Sequence, residues 1–301
     1  LCPHRLVPLS AGKRIGDEIV CGYHGMRFGP NGVCTAMPGR SSIPSTAKVR
    51  HFPVVERWGI VWIWMGDAEL ADPDLLPDLW WLGDKTWRSV HGCLQLEADY
   101  RLINDNLLDL SHETHVHPSS VGNGLGEEIG EFPLTVLDDG RVLCAERFMA
   151  DVAIPPGLAA VMGTGDRIDR EQRAIYMAPS LNLTDGILRS RVSKQVASHR
   201  ILHLLTPETA KSTHYFFVAS RDYGLDDERM DAISIKVATT AFAEDKAMIE
   251  RQQRSLDRHP DMTVPRVAWG IDKAPVRARR MLDTLLAEER KNGSHIVPPR
   301  N

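Results

Sequence analysis

The chain has 301 residues, 43% hydrophobic and 25% charged. That balance excludes a disordered chain, which is apolar-poor and highly charged. Its 36 basic and 40 acidic side chains leave a net charge of -4. A dedicated nucleic-acid binder would show a basic excess, and no apolar run approaches the 18 or so residues of a membrane helix.

In chain order, the first 66 residues read as β-rich. Residues 15–21 form a strand candidate, and Gly29-Pro30-Asn31-Gly32 is turn chemistry. Val54-Val55 and Ile60-Val61-Trp62-Ile63-Trp64 flank Trp58-Gly59 as a hairpin. Residues 71–78 carry two prolines and three aspartates and read as a linker, so the chain divides into residues 1–80 and 81–301. In the second part, residues 101–117 are expected to be helical. Asp138-Asp139-Gly140 signals a hairpin within residues 134–148. Residues 198–220 read as two strands around Thr206-Pro207-Glu208-Thr209. Residues 239–256 are helical, with Phe242, Met248 and Ile249 apolar. Residues 276–291 form an amphipathic helix through Met281, Leu282, Leu285 and Leu286, with Gly293 as its stop. The expected class is α+β, an antiparallel sheet with long helices at one side.

The cysteines are Cys2, Cys21, Cys34, Cys93 and Cys144. An odd, sparse set is no disulfide framework and suits a reducing cytoplasm. Leu1-Cys2-Pro3-His4-Arg5 carries no signal-peptide features. With Cys2 and His4 so near the start, the sequence is expected to lack its first segment. Cys34, Cys93 and Cys144 have no partner pattern and read as small buried hydrophobes.

The strongest signal is Cys2-x-His4, then 16 residues, then Cys21-x-x-His24. Each half puts one thiolate and one imidazole on a short loop. A structural Cys2His2 zinc site and a Rieske [2Fe–2S] cluster are the two candidates. Classical zinc fingers place both cysteines in one half, whereas here each half holds one of each, which favours the cluster. Gly22 and Gly25 are placed to let backbone N–H groups reach sulfur. Cys2-Pro3-His4-Arg5 and Cys21-Gly22-Tyr23-His24-Gly25 resemble the paired loops of the Rieske family.

A second constellation lies in residues 104–118, where His112, His115 and His117 crowd a helix end. Two histidines and a carboxylate on one face make a non-haem iron site. At about 100° per residue, Asn106, Asp109 and His112 share one side of a continuous helix. Pro118 disfavours helical geometry at His117, and His112-x-x-His115 is a competing ligand spacing. Asp245 falls three residues after Phe242 and four before Ile249, on the apolar stripe, where a carboxylate needs a partner or a metal. Glu244 points about 100° away and reads as solvent-facing.

Asn106-x-x-Asp109-x-x-His112-x4-His117 resembles the catalytic helix of Rieske non-haem iron oxygenases, in the aromatic O-demethylase branch. The resemblance implies iron ligation by His112, His117 and Asp245. It implies that Asp109 bridges a cluster histidine of one subunit, matching His24, to His112 of the next, within a homotrimer. Asn106 matches a position near the iron, as a distant ligand or a hydrogen-bonding neighbour. It further implies a helix-grip (START/Bet v 1-like) catalytic domain after the β-rich Rieske domain. The activity implied is an oxygenase component fed by NADH through a separate reductase, with or without a ferredoxin. O2 and a methoxylated aromatic acid such as vanillate are the implied substrates, and ring or methyl hydroxylation is the alternative. An isolated Rieske electron carrier would need only the first constellation, and a zinc-stabilised binding module would need no iron.

Three weaker signals remain. Gly122-x-Gly124-x-Gly126 lacks the strand of a dinucleotide site and reads as a loop over the substrate. Arg277, Arg279 and Arg280 read as a solvated face or a docking patch for an acidic electron donor. His199, His203 and His214 read as structural.

Overall fold

Short strands build the first unit. β1 (Lys13–Ile15), β2 (Glu18–Val20), β3 (Arg27–Phe28) and β4 (Cys34–Ala36) form an antiparallel sheet in that order. β5 (Val54–Arg57) and β6 (Ile60–Ile63) form the expected hairpin, with Trp58 and Gly59 both at positive φ in the turn. The strand expected over residues 15–21 is instead a hairpin, Lys13 pairing with Val20 and Ile15 with Glu18. Gly16-Asp17 turns the chain, which strand propensity alone could not register. Phe28, Met26, Cys34 and Ala47 close a small core around Cys2 and Cys21.

The computed structural model describes residues 1–123, 127–162, 167–262, 267 and 269–291. It packs as two units, Leu1–Pro77 and Asp78–Asn301. Gly124, Gly126 and Gly293, singled out in the sequence, lie outside the described residues.

The second unit is built on seven antiparallel strands. These are β7 (Arg88–Leu96), β8 (Thr135–Asp138), β9 (Val142–Ala153), β10 (Arg167–Met177), β11 (Leu181–Ser190), β12 (Val196–Thr209) and β13 (Ser212–Arg221), in the spatial order β7-β13-β12-β11-β10-β9-β8. The helices are α1 (Tyr100–Leu108), α2 (Glu113–Val116), α3 (Ala159–Met162), α4 (Glu228–Arg258) and α5 (Lys273–Lys291). Asp99 and Asp227 cap α1 and α4, each carboxylate accepting from the backbone N–H two residues on. Phe242 and Ile249 of α4 pack with Leu102, Ile103 and Leu107 of α1 against Leu205, Tyr215 and Phe217 of the sheet. α5 closes the other end through Ala274, Ala278 and Met281 against Leu143, Ala145 and Tyr176. This is the sheet-over-long-helix architecture that the resemblance implied. No described helix is long and apolar enough to cross a membrane.

Two local expectations need correction. The turn after β12 falls at Ala210-Lys211, not at residues 206–209. β12 outruns β11 beyond Leu204, so Pro207 sits where its missing N–H has no strand to serve on that side, and a bulge follows it. Cys93 is exposed, because β7 is an edge strand whose residues alternate between faces. Met248 is half exposed while Phe242 and Ile249 are buried.

The basic run on α5 is partly spent on internal pairs. Arg279 grips Asp105 of α1 through Nε (2.9 and 3.0 Å), and Arg277 pairs with Asp138.

Candidate metal centres

Cys2 and Cys21 are 2% and 3% exposed, while His4 and His24 project outward with ring centroids 4.6 Å apart. The two loops repeat one geometry. Cys2 N–H donates to the Val7 carbonyl (2.9 Å) and Leu6 N–H to the Cys2 carbonyl (2.9 Å). Cys21 N–H donates to the Met26 carbonyl (2.8 Å) and Gly25 N–H to the Cys21 carbonyl (3.0 Å). The fourth residue after each cysteine turns left-handed, Leu6 at φ 59° and Gly25 at φ 73°. Backbone N–H groups of His4 and Arg5 reach the Cys2 sulfur, and those of Tyr23 and His24 reach the Cys21 sulfur. The sulfur donors are thus the residues beside the glycines, not Gly22 and Gly25 themselves. Burial raises the Cys2 thiol, whereas the Tyr23 N–H leads in lowering Cys21. Two adjacent buried sulfurs with backbone donors, capped by two outward imidazoles, fit a cluster with one iron on each ligand type.

The second centre forms where α1 ends. The helix expected over residues 101–117 breaks at Asp109 (φ -115°, ψ 81°). Its carboxylate Oδ1 accepts from the Ser111 N–H (3.1 Å) and hydroxyl (2.6 Å) and caps the turn Leu110–His112. Local capping therefore outcompetes helix continuation, and the shared helix face drawn for Asn106, Asp109 and His112 does not exist. The break has a use. It brings the Asp109 carbonyl to 2.5 Å from His112 Nδ1, which leaves Nε2 facing inward.

His117 is 2% exposed. Its Nδ1 is 2.8 Å from Glu244 Oε2, which Ser120 Oγ also meets at 3.2 Å. Its Nε2 lies 3.1 Å from Asp245 Oδ1, and His112 Nε2 lies 3.2 Å from the same oxygen. The ligand atoms of His112, His117 and Asp245 all fall within 4.8 Å of one another. Both imidazoles are thus held at Nδ1 and present Nε2, the tautomer a metal needs. Two nitrogens and one carboxylate on one side fit a facial iron site. Asn106 Nδ2 lies 3.0 Å from Asp245 Oδ1 and 3.3 Å from His112 Nε2, a hydrogen-bonding neighbour of the set.

Burial alone would lower His112 and raise Asp245. Their mutual hydrogen bonds and charges prevail, so His112 is raised to about 9 and Asp245 falls well below the carboxylate range. His117 is raised for the same reason. His115 is excluded from the set: it is exposed and meets Glu128 Oε2 at 3.0 Å. Glu244 is corrected from solvent-facing to half-buried support for His117. A histidine ligand's second nitrogen needs an acceptor, and the residue beside Asp245 was the place to look for it.

His112, His117 and Asp245 line a cavity of about 110 Å³ walled by Leu158, Ile201, Ala219, Val237, Ala238 and Phe242. An apolar chamber with a few convergent polar groups suits a flat aromatic ligand.

Residues 96–288 match the vanillate O-demethylase oxygenase C-terminal domain, and residues 1–53 match the Rieske [2Fe-2S] domain. The vanillate O-demethylase oxygenase subunit of a Pseudomonas strain is 36% identical over 98% of this chain and 92% of that protein. This chain belongs to the vanillate O-demethylase family of Rieske oxygenases. The putative toluene-4-sulfonate monooxygenase iron-sulfur subunit of Comamonas testosteroni is 36% identical over 96% of this chain and 85% of its own. The crystal structure of dicamba monooxygenase bound to dicamba superposes with a TM-score of 0.86 at 30% identity, covering 97% of this chain and 86% of that one. As in this family, the chain is a Rieske non-haem iron monooxygenase, the oxygenase component of a multi-component system. A [2Fe–2S] cluster and a mononuclear iron are its cofactors.

One cavity histidine offers a test of the fold. His203 is 1% exposed, with Nε2 3.1 Å from Thr184 Oγ1 and Nδ1 2.5 Å from the Tyr215 hydroxyl. Burial lowers it to about 3, against the pull of Asp245. The folded protein therefore refuses a proton that the unfolded chain accepts below its ordinary value near 6.5. Its contribution is neutral above that value and becomes destabilising as pH falls. By pH 5 the penalty is ~2 kcal/mol. His203→Gln is expected to lose ~2 kcal/mol less stability than the wild type between pH 7 and 5, measured by chemical denaturation. An equal loss in both would contradict the assignment.

Proposed function

We propose that this chain demethylates a methoxylated aromatic acid such as vanillate. The supporting observation is the inward convergence of His112 Nε2, His117 Nε2 and Asp245 on one apolar cavity. Cys2, His4, Cys21 and His24 would hold the cluster, and His112, His117 and Asp245 the iron. When bound, the pair of centres supplies electrons and activates O2. The cavity walls hold the ring and exclude water, and Glu244 and the Asp109 carbonyl fix the two imidazoles. Hydroxylation of the ether methyl gives a hemiacetal, which collapses to a phenol and formaldehyde. The second oxygen atom leaves as water with two electrons and two protons.

In this reading Leu1–Pro77 serves as the cluster domain and Asp78–Asn301 as the catalytic domain. Electrons come from NADH through a separate reductase, with or without a ferredoxin, in the bacterial cytoplasm. The chains assemble as a homotrimer in which Asp109 links His112 to His24 of a neighbour. The half-exposed Asp109 supports this, since only its Oδ1 is engaged within the described residues.

The test is a screen of methoxybenzoates with the reconstituted reductase. One formaldehyde per NADH consumed is the expected result. A hydroxylated product without formaldehyde would establish ring or methyl hydroxylation instead, the chemistry suggested by the toluene-4-sulfonate relative's name.

A further inference from the structure

The chain after His117 turns back on itself. The His117 carbonyl accepts from the N–H groups of Ser120 and Gly122, both at 3.1 Å. Gly122 has no room for a side chain, since a Cβ there would lie 2.4 Å from the Glu113 carbonyl oxygen. The turn buries Ser120 and leaves it bonded on two sides. Its hydroxyl donates to Glu244 Oε2 at 3.2 Å, the oxygen that His117 Nδ1 meets at 2.8 Å. Its carbonyl accepts from the Gly157 N–H at 2.7 Å.

Gly157 belongs to the turn Pro156–Leu158 that leads into α3. Gly157, Leu158 and Val161 all line the cavity that His112, His117 and Asp245 share. The approach at Gly157 is close. A Cβ there would lie 2.8 Å from the Ser120 carbonyl oxygen and 3.2 Å from each methyl carbon of Val237. Only a residue without a Cβ lets this stretch of wall sit against Ser120 unstrained.

Hydrogen bonds therefore run unbroken from the cavity wall to an imidazole of the metal set. The Gly157 N–H meets the Ser120 carbonyl, the Ser120 hydroxyl meets Glu244, and Glu244 meets His117. Glu244 is half-buried, and among the described residues no other side chain is bonded to it. One contact does not fix so long a side chain against the pull of water. The Ser120 hydroxyl supplies the second contact, from a backbone that is itself held at both ends.

We propose that Ser120 is a positioning residue joining the cavity wall at Gly157 to the Glu244–His117 pair, so that iron binding and the setting of that wall form one coupled equilibrium. Coupling is reciprocal: displacing the wall weakens the iron, and removing the iron loosens the wall. This rests on His117 as an iron ligand.

The test combines Fe(II) affinity with amide hydrogen exchange on protein that carries its cluster. In the wild type, stripping the mononuclear iron with a chelator is expected to speed exchange of the Gly157 amide about 3- to 10-fold. Ser120→Ala keeps every backbone bond of the turn and loses only the hydroxyl. It should weaken Fe(II) binding about 3- to 10-fold, less than loss of a direct histidine partner, and make Gly157 exchange insensitive to iron. Gly157→Ala should weaken Fe(II) binding to a similar degree. The double variant should bind within about 2-fold of Ser120→Ala alone, because both changes cut one path. Losses that multiply, or wild-type affinity in Gly157→Ala, overturn the proposal. Should Gly157→Ala fail to fold, the exchange comparison decides. Gly157 exchange that ignores iron in the wild type, or that answers to iron equally in Ser120→Ala, overturns the joint. Iron retained in His117→Ala overturns the ligand assignment and the joint together, whereas iron lost there with wild-type Gly157 exchange blind to iron overturns the joint alone.

Discussion

His117→Ala is expected to strip the mononuclear iron from the protein, leave the cluster intact and abolish formaldehyde release. The buried His117 is held from both sides, Nδ1 by Glu244 at 2.8 Å and Nε2 facing Asp245 at 3.1 Å. Deleting the ring leaves His112 and Asp245 as two ligands, and among the described residues no other histidine belongs to that cluster. His115 points to solvent and pairs with Glu128. Iron and sulfide analysis should therefore fall from three irons per two sulfides to about two. The cluster's visible and EPR spectra should not move. Iron retained at full occupancy would sink the assignment and shift suspicion to His115. The adjacent Glu244→Gln makes the finer comparison. It keeps an oxygen for Nδ1–H and loses only charge, so iron affinity should drop about 10- to 100-fold without vanishing.

The legible parts of this molecule were those whose chemistry is local in the chain. Cys2-x-His4 and Cys21-x-x-His24 each fit one loop, and Asp138-Asp139-Gly140 turns a hairpin with its own side chains. Asp245 could be found because a carboxylate on the stripe of Phe242 and Ile249 contradicts its surroundings. The break at Asp109 was hidden because helix periodicity carries no information on whether an aspartate will cap the turn that follows. Glu244 was misread for a related reason. An angle of about 100° from a buried neighbour suggests solvent only on an isolated helix, and here Ser120 and His117 cover that face. The side-by-side placement of Gly186, His199 and Arg221 was out of reach, although His199 itself read as structural. They lie on three strands, and only the pairing register makes them neighbours.

Asp109→Asn is expected to keep both metal centres and to slow turnover about 100-fold, the upper range for a lost outer-shell carboxylate. The two halves of Asp109 have separate tasks. The backbone carbonyl fixes His112 Nδ1, and the substitution does not touch it. Oδ1 caps the turn at Ser111, and an asparagine oxygen can replace it there. Only the negative charge disappears, and with it the acceptor proposed to meet a histidine of a neighbouring subunit. Metal content, the folded state and the cluster spectrum should therefore match the wild type. In a rapid-mixing experiment with reduced enzyme, substrate and O2, re-oxidation of the cluster should slow while substrate affinity stays unchanged. Ser111→Ala separates the two tasks from the other side. It removes one bond to Oδ1 and leaves the charge, so electron transfer should persist. Wild-type re-oxidation in Asp109→Asn would mean that the carboxylate is merely a cap, and that electrons reach His112 by a route in which residue 109 takes no part.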